Sequence, residues 1–225
     1  AGIGRALPDA LALARASATA GAGGLMVHQP PDPFVAPRGV VDYVRRGAEA
    51  GGGLPVVLYL RNDGIGLDAI AALCALPEVV GVKWAAPTPL RLAAAIRRAD
   101  PRITWVGGLA ETWAPPLYAV GARGFTSGLI NVWPAHSVAI HRALAAGDYP
   151  GAMALIARMS AFEELRAEEG NGTNVSVVKA ALALLGDDCG HVRAPGAWPL
   201  TAAQHGRLAT LLGEWGLTGQ ARAAE

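Results

Sequence analysis

Residues 55–63, Pro-Val-Val-Leu-Tyr-Leu-Arg-Asn-Asp, and residues 79–84, Val-Val-Gly-Val-Lys-Trp, decide the fold. Each opens on a short run of β-branched and aliphatic side chains whose apolar character is nearly continuous rather than alternating. Such runs are strands covered on both faces, the mark of a parallel sheet. Working outward, runs of the same kind recur at Gly24–His28, Ile103–Gly107 and Gly124–Ser127. Alanine- and leucine-rich stretches of helical period separate them, near residues 8–20, 38–50, 67–75, 88–99 and 111–120. The punctuation agrees. Gly21, Gly51–Gly53 and Gly121 follow helices where a left-handed cap is expected, and Pro55 stands at a strand start.

From about residue 134 the alternation stops. Helical patterns follow at 134–146, 148–168, 173–185 and 201–215, with Pro- and Gly-rich breaks at 186–199. Strands at 20–30-residue intervals fit either a doubly wound sheet or part of an eight-stranded barrel. No Gly-x-Gly-x-x-Gly follows a first strand, and no Walker phosphate loop is present. Gly2-Ile3-Gly4, just before a helix, reads as a strand-to-helix loop whose strand has been cut away. The expectation is therefore an α/β chain, a (β/α)8 TIM barrel lacking its first three strands. Residues 1–133 would hold strands 4 to 8, and residues 134–225 the last barrel helix and a C-terminal helical extension of the same domain.

The chain has 225 residues, 52% hydrophobic and 16% charged, with a net charge of +1. That length gives one large domain or two small ones, and the low charge excludes disorder. Near-neutral balance gives no support for nucleic-acid binding, and no apolar run approaches the roughly 20 residues of a spanning helix. Cys74 and Cys189 are too few and too far apart for a disulfide framework or a zinc site. With cysteines so sparse, the expected compartment is a reduced cytoplasm.

In parallel α/β folds ligands bind at the carboxyl ends of strands. Tyr59 stands at one such end, with Arg61, Asn62 and Asp63 in the loop; Gly107 and Gly108 end another, and Thr126, Ser127 and Asn131 follow the last. Lys83 and Lys179 are the two lysines among 19 basic residues, and Lys83 lies between Val82 and Trp84. Burying an ammonium costs several kcal/mol unless it is paired, and desolvation lowers its pKa. A lysine poised neutral is the nucleophile for a Schiff base with a ketone, whose protonated imine eases loss of a proton, a hydroxyl or a carbon–carbon bond. The alternative is a lysine snorkelling at the strand end or paired with an acid. Tyr59 is either a proton relay or an aromatic core cap, and Arg61 either a carboxylate clamp or a solvated loop residue. Lys179, in mid-helix, reads as structural. Histidines at 28, 136, 141, 191 and 205 show no ligand spacing, so no metal or cofactor is expected.

A strand ending in Tyr, a Gly-Val-Lys strand 24 residues later, a Gly-Gly loop and then a Ser and an Asn form an ordered series. It resembles the dihydrodipicolinate synthase / N-acetylneuraminate lyase family across essentially the whole chain. The resemblance implies a (β/α)8 barrel with a helical extension and a small-molecule 2-keto acid substrate. It places Lys83 on the imine-forming lysine, Tyr59 on the proton-relay tyrosine, and Thr126, Ser127 and Asn131 on the strand-8 substrate loop. It also implies a homo-oligomer, a dimer or tetramer, for a full-length protein. YLRND, GGLAETW and VSVVKAAL are most similar to the 5-dehydro-4-deoxyglucarate dehydratase branch, which implies dehydration and decarboxylation of a C6 sugar diacid. The alternatives are a dihydrodipicolinate-synthase-like or other pyruvate-dependent aldolase, a ligand-binding member without catalysis, and an inactive N-terminally truncated fragment.

Departures bear on this choice. Gly64 stands where the synthase branch carries an arginine, against dipicolinate synthesis. Pro31-Asp32 replaces a tyrosine pair, and Trp84 an acidic residue. The family's Thr-Thr loop after its second strand has no counterpart in the chain.

Overall fold

A computed structural model describes residues 1–30, 34–193 and 198–218. Pro31 and Asp32 lie outside the described residues. Two compact units are present: Ala1–Leu109 with Pro116–Thr126, and Ala110–Pro115 with Ser127–Glu225.

The first unit holds five parallel strands, β1 (Gly2–Ile3), β2 (Leu25–His28), β3 (Val56–Leu60), β4 (Val79–Trp84) and β5 (Thr104–Gly107). Their spatial order follows the chain, β1-β2-β3-β4-β5. A doubly wound sheet reverses its order at a switch point, whereas barrel strands add one after another. The order observed is that of a barrel. Helices α1 (Leu7–Thr19), α2 (Pro37–Ala50), α3 (Leu67–Cys74) and α4 (Pro89–Arg98) connect successive strands. Pro37 and Pro89 open α2 and α4 where their missing N–H costs nothing and their fixed φ suits the first turn.

Side chains alternate across the sheet with period two. Leu25 and Val27, Val56, Leu58 and Leu60, Val82 and Trp84, and Trp105 are buried. Met26 and His28, Val57 and Tyr59, Lys83, and Val106 stand on the other face, half-buried. The runs look continuous in sequence because both faces are apolar at their centres. Polar residues enter the second face only at the strand ends, which is where a site forms.

Two strand assignments differ from expectation. Gly2–Ile3 is itself a strand, in register with Met26 and Val27, not a loop. Gly124–Ser127 is not a strand. It makes one parallel bridge, Gly107 with Phe125: Gly107 N–H donates to the Gly124 carbonyl and Thr126 N–H donates to the Gly107 carbonyl. The chain turns into a helix at Leu129, so the pairing never grows into a ladder. The stretch at 111–120 divides into a 3-10 turn, Glu111–Trp113, and the short helix α5 (Ala114–Ala119).

The second unit is helical: α6 (Leu129–Val132), α7 (Pro134–Ala145), α8 (Tyr149–Asn171), α9 (Asn174–Leu184) and α10 (Ala202–Glu214). Leu129, Ile140, Met159, Phe162, Val177, Leu208 and Leu212 form its buried core. The helix α8 breaks at Glu168–Gly170, where Glu169 and Gly170 take positive φ, close to the predicted end at 168. A capping box starts α10: the Thr201 hydroxyl accepts from Gln204 N–H, and the Gln204 side chain accepts from Thr201 N–H. Lys179 Nζ donates to the carbonyls of Cys189 and His191, each at 3.0 Å, a structural role as read from its place in the sequence. Among the described residues no helix is long and apolar enough to cross a membrane, and no cluster of His, Cys, Asp or Glu is arranged to hold a metal ion.

Candidate active site

Register builds the site. His28 of β2 pairs with Tyr59 of β3, and Tyr59 pairs with Lys83 of β4, which pairs with Val106 of β5. Residues directly opposite on neighbouring strands point to the same face, so His28, Tyr59 and Lys83 form one row across the sheet. Lys83 Nζ lies 4.1 Å from the centroid of the Tyr59 ring. The His28 ring meets the same phenol edge-on, centroids 4.8 Å apart, and the Arg61 guanidinium carbon is 6.0 Å from its centroid.

The electrostatics follow from this packing. Burial lowers the Lys83 pKa below the ordinary lysine value, and the Arg61 charge lowers it further. Among the described residues its ammonium has no hydrogen-bond acceptor and no carboxylate partner. A half-buried lysine facing an arginine and an aromatic ring is not the paired lysine of the bland alternative. His28 is shifted the same way, by burial first, then by Lys83 and Arg61, so its imidazole is held toward the neutral form.

The loop after β3 is braced by Gln29. Its side-chain oxygen accepts from Arg61 N–H at 3.1 Å and from Asn62 N–H at 2.9 Å, and its amide nitrogen donates to the Asn62 carbonyl at 3.0 Å. The Asn62 side chain accepts from Gly64 N–H at 2.8 Å and caps the start of a 3-10 turn, Asp63–Ile65. Asp63 accepts from the Thr88 hydroxyl at 2.8 Å and pairs with Arg91. Arg61 thus starts from a fixed backbone.

Gly108 explains the Gly-Gly loop. A Cβ there would sit 2.8 Å from Ala85 Cβ and 3.0 Å from both Cγ and Cε of Lys83, inside contact distance. The glycine leaves the lysine stem its path. Gly107 is fixed by the bridge to Phe125, and the Thr126 hydroxyl points to the Gly107 carbonyl at 3.5 Å.

A cavity of about 940 Å3 opens beside the row, lined among others by Gly2, Gly4, His28, Gln29, Arg61 and Asn62. Tyr59 and Lys83 do not line it; His28 belongs to both the row and the cavity wall. Gly4 makes room for the histidine, since a Cβ on it would lie 3.1 Å from His28 Cβ.

Ser127 and Asn131 belong to the second unit. There the Ser127 hydroxyl donates to Glu111 Oε1 at 2.6 Å and accepts from Ile130 N–H at 3.2 Å, while Asn131 Nδ2 donates to the Gly128 carbonyl at 3.1 Å. Trp84 is fully buried on the face opposite Lys83, so the departure at that position does not alter the row.

Three residues of functional interest escaped the sequence reading: His28, Gln29 and Glu111. Spacing alone does not distinguish His28 from the other histidines. The signal that finds it is strand-end alignment, because it closes β2 as Tyr59 and Lys83 nearly close β3 and β4.

The comparisons with known proteins agree with one another. The dihydrodipicolinate synthetase family profile matches residues 1–214. A Saccharopolyspora erythraea protein named probable 5-dehydro-4-deoxyglucarate dehydratase is 31% identical over 98% of this chain and 72% of its own length. A Halobacterium salinarum protein named as an uncharacterized DapA-like lyase is 33% identical over 82% of this chain and 60% of its own. A crystal structure of dihydrodipicolinate synthase from Oceanobacillus iheyensis superposes with a TM-score of 0.89 at 34% identity, over 96% of this chain and 72% of that one. Those structures place the parallel sheet and its helices in the TIM-barrel class. The chain belongs to the dihydrodipicolinate synthetase family of Schiff-base lyases.

Proposed function

We propose that Lys83 is the imine-forming residue of a lyase for 2-keto sugar acids, and that the substrate is 5-dehydro-4-deoxyglucarate, dehydrated and decarboxylated. The observation that carries this reading is the Tyr59–Lys83 pair: an unpartnered, pKa-lowered amine held over a phenol at a strand end.

The neutral amine attacks the keto carbon, and a proton delivered to the resulting hydroxyl lets water leave and the iminium form. Tyr59 serves that exchange, its hydroxyl carrying protons between the lysine nitrogen and the departing oxygen. The iminium then draws electrons from the neighbouring carbon, whose proton is lost, and the hydroxyl one carbon further departs. Arg61, with its guanidinium free to form two parallel hydrogen bonds, holds a substrate carboxylate. Asn62, Gly107, Gly108 and Thr126 shape the surrounding loop. Names of relatives such as the S. erythraea protein support the substrate choice. Gly64 also favours it over the synthase, for it offers no side chain to grip a carboxylate and its N–H is spent on Asn62.

Borohydride reduction in the presence of a 2-keto acid tests the chemistry. A mass adduct on Lys83, absent in Lys83→Ala, is expected. No adduct, or equal trapping in the variant, refutes the reading. Consumption of 5-dehydro-4-deoxyglucarate with release of carbon dioxide tests the substrate, and turnover would also dismiss a purely ligand-binding role.

A further inference from the structure

We propose that His28 is a catalytic residue that carries the proton from the carbon next to the imine to the departing hydroxyl. This rests on the Schiff-base reading and adds a residue to it.

Placement is the first ground. His28 is the register partner of Tyr59, which is the register partner of Lys83, and the histidine also lines the 940 Å3 cavity. Of the three residues in the row, it is the one that a molecule filling that cavity meets directly. Gly2 and Gly4 flank it on β1 and its following loop; a Cβ on Gly2 would only touch His28 Nε2, at 3.6 Å, whereas one on Gly4 would press on His28 Cβ at 3.1 Å. Among the described residues the ring makes no hydrogen bond, and its ring contact is the edge-on one with Tyr59. Both nitrogens are therefore available to a ligand.

Charge is the second ground. Lys83 and Tyr59 share its row and Arg61 follows β3, while Arg5 and Asp9 line the same cavity. Burial first, and then the charges of Lys83 and Arg61, favour the neutral imidazole, which is the form that accepts a proton.

The step balances. With the imine formed on Lys83, neutral His28 takes the proton from the adjacent carbon, and the C–H pair moves to form an enamine. The resulting imidazolium gives the same proton to the hydroxyl one carbon further as its C–O bond breaks. The enamine pair becomes a carbon–carbon double bond conjugated with the restored iminium. One water leaves, and His28 ends neutral. No external acid, base or oxidant is needed.

The experiment uses pyruvate, whose methyl group is the carbon next to the imine, in deuterated water. Wild type should exchange methyl protons for deuterium and be trapped by borohydride on Lys83. In His28→Gln and His28→Asn, trapping should stay within about threefold while exchange falls about 100-fold, the usual scale of a general base. The wild-type exchange rate should also rise with pH along a limb lying below the ordinary histidine value of 6.5, and that limb should vanish in both variants. Exchange at the wild-type rate in either variant overturns the proposal. So does loss of trapping in both, which would make His28 a part of the imine site's architecture. Absence of trapping in wild type would instead overturn the Schiff-base reading itself.

Discussion

Tyr59 and Lys83 are register partners on adjacent parallel strands, and the lysine nitrogen lies over the phenol ring, 4.1 Å from its centroid. Two opposing effects meet at this contact. The ring face attracts an ammonium, worth about 0.5–2 kcal/mol by general experience. Burial first, and then the Arg61 charge, work against it by lowering the lysine pKa.

Tyr59→Phe separates the ring from the hydroxyl. The aromatic face over Lys83 remains, so the fold and the lysine's titration should be little changed. The proton relay is lost, and borohydride trapping at fixed pH should slow by about 100-fold, the low end of acid–base contributions. Trapping at the wild-type rate in Tyr59→Phe would reduce the tyrosine to a platform.

Arg61→Gln removes the positive charge that helps to depress Lys83. The sign is unambiguous. A nearby cation disfavours the ammonium, so its removal raises the lysine pKa, and the rising limb of trapping against pH moves to higher pH. Arg61→Lys should leave the limb near its wild-type position while weakening capture of a carboxylate, because a point charge cannot make two parallel hydrogen bonds. The pH profile and the 2-keto acid concentration for half-maximal trapping distinguish the two effects.

Gly108→Ala tests the space around the lysine stem. The new methyl would meet Ala85 Cβ at 2.8 Å and Lys83 Cγ and Cε at 3.0 Å, and the backbone there is fixed by a 2.7 Å bond from Gly108 N–H to the Trp84 carbonyl. The lysine stem can swing aside, but Ala85 Cβ cannot, so the loop backbone must shift as well. We expect a stability loss of about 1–3 kcal/mol, typical of overpacking, with trapping reduced at least about tenfold by displacement of the amine. Denaturant unfolding and mass-detected trapping measure the two outcomes.

Much of this site was legible in the sequence, and the reason is periodicity. Val56–Leu60 and Val79–Trp84 show themselves as strands through their apolar runs, and the polar residues that interrupt such runs at their ends, Tyr59 and Lys83, stand out. His28 carried the same signal but sits at the end of a four-residue strand, where a single polar residue looks like the start of a loop. Gly2–Ile3 was too short to show a period at all; its pairing with Met26 and Val27 is a tertiary fact. Gly124–Ser127 misled for the opposite reason, because its local composition suits a strand while its pairing stops after one bridge. Glu111 was hidden in a stretch of helical pattern. Nothing local announces that a carboxylate there will be fully buried.

That buried carboxylate supports the last prediction. Glu111 is fully shielded from solvent; its Oε1 accepts from the hydroxyls of Ser127, at 2.6 Å, and Ser137, while among the described residues Oε2 has no partner. A buried carboxylate with half its acceptor capacity unmet depends strongly on the donors it does have. Ser137→Ala removes one, and should destabilise the protein by about 1.5–3 kcal/mol, the range for hydrogen bonds to charged groups. Ser127→Ala removes the other and also the acceptor for Ile130 N–H, so it should in addition loosen the start of α6. If the stability of Ser137 comes through the charge, the same substitution in the Glu111→Gln background should cost about half as much, because a neutral amide oxygen is the weaker acceptor. Equal cost in both backgrounds, by urea unfolding, would show that the serine acts through packing and not through Glu111.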